Sequence, residues 1–154
     1  MTLETQVTLG DETLDTLQDL VQINIDSRDG FREAAGQITD AALATYFREL
    51  AEQRAHQAEE LQTYVELNNE RPVKDGSFLA AVHRSWLSIR DSLTGSDVHA
   101  VLAEAERGED AIKQAYEDGL KNTAGSAIND VLQAQYVQVK AAHDRVRDLR
   151  DAHA

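Results

Sequence analysis

A single proline in 154 residues, Pro72, constrains this chain more than any other feature. Proline lacks the N–H that a helix interior requires and crowds the preceding turn, whereas folds of strands and turns use it repeatedly as punctuation. The eight glycines fall mostly where helices would stop, and Ala, Leu, Gln, Glu and Arg fill the stretches between them. The chain reads as all-α.

Five segments carry apolar residues at three-to-four spacing. The first is capped by Asp11 and runs through Leu14, Leu17, Leu20, Val21, Ile25, Phe31 and Ala35 to Gly36. The second begins at Thr39 or Asp40, carries Leu43, Tyr46, Phe47, Leu50, Ala58, Leu61, Tyr64 and Val65, and ends in residues 68–71. A shorter third opens at Asp75-Gly76-Ser77, carries Phe78, Val82, Trp86, Ile89 and Leu93, and closes at Gly95. Ser96 caps a fourth, with Val98, Val101, Leu102, Ala105, Ile112, Tyr116 and Leu120 on one face. After a break over residues 122–125, the fifth runs on Ile128, Val131, Leu132, Tyr136, Val139, Val146 and Leu149. Residues 1–10 show no period and read as a flexible tail ahead of one domain over 11–154.

At 1.5 Å per residue, four of these helices span about 35–45 Å and the third only about 27 Å. Two antiparallel hairpins, first with second and fourth with fifth, would form a four-helix bundle with the short helix as a crossover. One long crossover is the ferritin-like arrangement. A five-helix up-and-down array is the alternative.

Charge narrows the partners. Fifteen Lys and Arg face 28 Asp and Glu, a net charge of −13, and a field of that sign repels phosphate backbones and anionic lipid. Nucleic acid and membrane are therefore not expected as partners, and no apolar run approaches the ~20 residues of a membrane span. Met1-Thr2-Leu3-Glu4 has neither a basic nor an apolar leader region, so a cytoplasmic location is expected. The lack of cysteine excludes disulfides, thiolate metal sites and cysteine nucleophiles. There is also no Ser-His-Asp spacing and no glycine-rich phosphate loop.

The pieces Asp26-Ser27-Arg28-Asp29-Gly30-Phe31, His83-Arg84-Ser85-Trp86 and Glu106-Arg107-Gly108-Glu109-Asp110, then Tyr116 and residues 139–147, resemble the signature of a bacterial four-helix-bundle family of unknown function. That family lies in the ferritin-like superfamily, and the resemblance covers nearly all of the chain after residue 10. It implies a bundle and supplies no reaction. Similar ferritin-like proteins belong to stress or stationary-phase physiology, so a stress association is the implied setting.

A working di-metal centre in such a bundle draws a Glu from each of two helices and a Glu-x-x-His pair from each of the others. No Glu-x-x-His occurs here. On a helical wheel the inward positions hold Asn24 and Arg28, then Arg54, then Glu109, then His143, with Gln135 nearby, while Asp26 projects roughly opposite. One carboxylate and one imidazole beside a permanent cation do not make a di-iron site. The set reads as a buried polar layer of Asn24, Arg28, Arg54, Glu109, Gln135 and His143, in which Arg54 and Glu109 pair across the hairpins.

The expectation is a non-enzymatic bundle without cofactor, acting as a homo-oligomer or on a protein partner. The alternative is a degenerate metalloprotein binding iron, manganese or zinc at Glu109 and His143. His83 and Trp86, three residues apart on the short helix, are a possible surface site, although a packed Trp with a flanking His is the ordinary reading. His56 with Glu52 and Glu60, and the acidic run Glu104, Glu106, Glu109 and Asp110, offer weaker cation sites. In that run Glu104 and Asp110 are expected to face solvent.

Overall fold

The computed structural model describes residues 4–74 and 98–153, and everything below refers to them. They form four α-helices: α1 (Asp11–Gln37), α2 (Ala41–Leu67), α3 (Val98–Asn122) and α4 (Asn129–Ala152). There is no strand among the described residues. The expected short helix, with Phe78, Val82, His83, Trp86, Ile89 and Leu93, and the Ser96 cap lie outside them.

Local chemistry sets the boundaries. Asp40 is the N-cap of α2, its carboxylate accepting from the Leu43 N–H at 2.9 Å, which satisfies one of the free donors of the first turn. Asp40→Ala is expected to cost about 1 kcal/mol in chemical denaturation. At the other end Asn69 takes a positive φ of 63°. The N–H groups of Asn69 and Glu70 return to the carbonyls of Glu66 and Val65, a Schellman closure in which asparagine fills the left-handed position usually given to glycine. α1 starts one residue earlier than expected, with Gly10 as N-cap and Asp11 inside the first turn.

The buried apolar residues form two clusters stacked along the bundle. One joins Phe31 and Ala35 of α1, Leu43, Phe47 and Leu50 of α2, Val101 and Leu102 of α3, and Val146 of α4. The other joins Leu14, Leu17 and Leu20 of α1, Leu61 and Val65 of α2, Ile112 and Tyr116 of α3, and Leu132 and Val139 of α4. Each helix contributes one half to each cluster, and this fixes its direction. α1 and α4 run one way, α2 and α3 the other. α2 therefore ends, and α3 begins, at opposite ends of the bundle.

α1 packs on α2 and on α3, and α3 packs on α4, so α2 and α3 face each other diagonally across the core. Gly119 permits the close approach of α1 to α3: a Cβ there would stand 3.2 Å from Leu20 Cδ1. Phe31 and Phe47 meet edge to face with centroids 5.2 Å apart, tying α1 to α2.

Of the tail expected over 1–10, most of the described residues are exposed, while Gln6 and Leu9 make contacts with the helix ends. Leu9 is buried and its N–H donates to Asn68 Oδ1 at 2.8 Å. Asn68 Nδ2 donates to the Gln6 carbonyl, and Gln6 donates to the carbonyl of Ala127. A segment crossing helix ends needs no helical period to make such contacts. Residues beyond α2 are held as well: Gln18 donates to the Arg71 carbonyl and accepts from Val73 N–H, and Gln62 donates to the Val73 carbonyl.

Candidate functional site

Helical periodicity carries Asn24, Arg54, Glu109 and Gln135 into the core, one from each helix. Arg54 sits three residues after Ala51 and four before Ala58 on the buried stripe of α2, and Glu109 lies between Ala105 and Ile112 on that of α3. Arg54 Nη2 donates to Glu109 Oε2 at 2.6 Å, with both side chains fully buried. This bond crosses the bundle diagonally, at the level where the two apolar clusters meet. An arginine has the reach for that span. Burial pushes the Glu109 carboxyl above its ordinary range, and the Arg54 guanidinium is the main opposing pull. Arg54 Nε and Nη1 and Glu109 Oε1 make no other hydrogen bond, so the pair is a single-point bridge, not a bidentate one.

A second polar arrangement encircles the lower half of the core. Asn24 of α1 donates to the Leu20 carbonyl and to Tyr116 Oη at 2.7 Å. The Tyr116 hydroxyl donates to Gln135 Oε1 at 2.7 Å. Gln135 Nε2 then donates to Glu60 Oε1 at 2.7 Å and to the Gln57 carbonyl. The chain of donors passes α1, α3, α4 and α2 in turn. Burial pushes the Tyr116 phenol well above its usual range, so it remains a hydroxyl donor. It ends at Glu60 beside a surface groove of about 400 Å³ between α2 and α4, lined by His56, Gln57, Glu60, Ala134, Gln135 and Gln138.

Of the expected polar layer, Asn24, Arg54, Glu109 and Gln135 are brought into the core and hydrogen-bonded as described. Arg28 is not there. Its guanidinium turns outward to Asp29 at 2.8 Å with a quarter of the side chain exposed, because a long stem lets the charge reach water from a half-buried position. His143 does not meet Glu109 in a ligand pair; its ring nitrogens face Asp110 and Asp144. His83 and Trp86 lie outside the described residues. His56 is exposed and stands 3.9 Å from Glu59, not against Glu52 or Glu60. Glu104 is held by Arg107 and is only 17% exposed.

Residues 12–122 match a family described as a domain of unknown function, DUF2383. The chain belongs to this family. No curated protein matches it. The DUF2383 match takes in α1, α2 and α3, and with them Asn24, Arg54, Glu109 and Tyr116; Gln135 and His143 lie beyond it.

Two groups of this DUF2383 chain escape a one-face wheel. Asp26, expected on the outer side of α1, is only 3% exposed. Asn24, Ile25, Asp26 and Ser27 are all buried in succession, so α1 is enclosed around a full turn. Desolvation pushes the Asp26 carboxyl up to about 6, against a hydrogen bond from Gln22. The sign of the consequence is fixed. Because its folded value exceeds the ordinary 3.8, the folded state holds this proton more tightly, and the stability linked to it disappears as pH rises through about 6. Asp26→Asn is therefore expected to be more stable than the parent at pH 7.5, by on the order of 1–2 kcal/mol, with the gap closing toward pH 4. Urea midpoints at both pH values measure it; a gap independent of pH would mean that Asp26 is solvated. The second group is the cluster around His143, considered below.

Proposed function

We propose that this protein is a non-catalytic, ferritin-like helical bundle that acts through assembly or partner binding, not through chemistry in its core. The observation that carries the reading is the Arg54–Glu109 pair, fully buried at the middle of the bundle. A di-metal centre needs carboxylates and imidazoles there to neutralise and surround two cations. A guanidinium in that layer supplies a fixed positive charge instead, and occupies the one central carboxylate. The direction of the helices supports the ferritin-like part of the reading. α2 and α3 run the same way, so α2 ends and α3 begins at opposite ends of the bundle, the relation that one long crossover requires. Residues 71–73 turn back onto Gln18 and Gln62. A stress-associated setting rests on the family resemblance alone.

Oxygen uptake after mixing ferrous iron with the full chain tests the core. The expected rate equals that of the protein-free control. Consumption well above it, lost in Glu109→Ala, would overturn the non-catalytic reading. Light scattering coupled to size exclusion tests assembly: a stable oligomer supports it, and a strict monomer confines the proposal to partner binding.

A further inference from the structure

On the flank of the α3–α4 pair, outside the core layer, Glu106, Asp110 and His143 each offer a ligand atom within 4.8 Å of the others. Glu106 and Asp110 are one turn apart on α3, so both carboxylates project from the same side. His143 comes from α4, with only 12% of its side chain exposed. Its Nε2 is 2.6 Å from Asp110 Oδ1 and its Nδ1 is 3.1 Å from Asp144 Oδ1. A neutral imidazole has one N–H and one lone pair. If Nδ1–H is donated to Asp144, the lone pair on Nε2 is left facing carboxylate oxygens, and a metal cation between them turns that contact into an attraction.

The charge around the cluster points the same way. Glu109, between the two α3 ligands in sequence, is fully buried, has Oε1 without a hydrogen-bond partner, and interacts electrostatically with both His143 and Asp110. Its own arginine bonds only the other oxygen. Glu109 Oε1 is thus a buried acceptor without a donor next to the cluster in sequence.

We propose that Glu106, Asp110 and His143 form a mononuclear site for a divalent transition-metal ion such as zinc, with Asp144 holding the His143 tautomer. One imidazole with two carboxylates suits such an ion, and a carboxylate on the second ring nitrogen is the usual support of a metal-bound histidine. The fourth position is open to solvent. Ligands about 2.0–2.2 Å from zinc stand roughly 3.3 Å apart in a tetrahedral shell, so Asp110 must retreat slightly from its 2.6 Å contact. At 62% exposure it is free to do so. Arg150, now 2.5 Å from Glu106 and also bonded to Asp151, must release Glu106. This site goes beyond the non-catalytic reading of the core and shares no ligand with the core pair.

Calorimetric titration of the untagged full chain with zinc alone, and with cobalt followed by its visible absorption, tests the proposal. One equivalent should bind, with four-coordinate cobalt bands. His143→Gln and Asp110→Asn should each weaken binding at least tenfold, and Asp144→Asn about 10–100-fold. His56→Gln should change nothing. Far-UV circular dichroism checks that each variant folds, and the exposed Asp110→Asn carries the test if His143→Gln does not. Absence of binding would overturn the proposal and leave His143 as a hydrogen-bonded link between two aspartates. Binding of unchanged affinity in Asp110→Asn would also overturn it, as scattered ions on an acidic surface.

Discussion

Arg54→Met is expected to destabilise the protein by about 3–5 kcal/mol, and Glu109→Leu by a similar amount. Each leaves a charge in a layer that is entirely without solvent exposure, where its desolvation is no longer offset. On a total stability of about 5–15 kcal/mol, either change approaches unfolding. The double variant behaves differently. With both charges gone and the volumes roughly kept, only packing defects remain, and its cost should fall well below either single one. It can even be more stable, because the present bridge uses one nitrogen and one oxygen and leaves Arg54 Nε, Arg54 Nη1 and Glu109 Oε1 unmatched. Urea unfolding of the four proteins closes the cycle. Additive effects below 1 kcal/mol would show the two side chains to be apart or hydrated.

Tyr116→Phe should cost about 1–3 kcal/mol, the second largest effect. The ring stays, so no cavity opens and the loss is that of the hydroxyl. That hydroxyl both accepts from Asn24 and donates to Gln135. Asn24 Nδ2 keeps the Leu20 carbonyl, while Gln135 Oε1 loses its donor in a residue 4% exposed. The larger share of the penalty therefore belongs to Gln135. Combining Tyr116→Phe with Gln135→Leu, which removes the stranded acceptor, should recover part of it. If the double variant is as costly as the sum, the two residues do not communicate through this bond.

Much of the fold was legible because its determinants are local. Asp40 caps where it stands, the pair Asn68-Asn69 stops α2, and the 3.6-residue period turns Arg54 and Glu109 inward. The direction of side chains at stripe edges was not legible in the same way. Arg28 is one turn from Asn24 and nearly on its face, yet its length takes the charge outward to Asp29. Asp26 was assigned outward because a wheel with one apolar stripe allows one buried side, whereas α1 is enclosed all round at that turn. Tyr116 falls on the apolar stripe of α3, where the period accounts for its ring and says nothing of its hydroxyl. The meeting of His143 with Asp110 depends on how α3 and α4 are rotated against each other. No single helix contains that information.

The polar layer bears on how many ways these helices could dock. Leu, Val and Ala stripes fit one another nearly as well after a slip of one turn, about 5.4 Å along the axis. Such a slip would set Arg54 against the level of Ala105 or Ile112 and strand both charges in hydrocarbon. It would also part Asn24 from Tyr116 and Tyr116 from Gln135. Apolar burial makes the bundle close, but it discriminates poorly between neighbouring registers. The diagonal pair acts as a locating pin, so the shifted assemblies are penalised by several kcal/mol more than the native one.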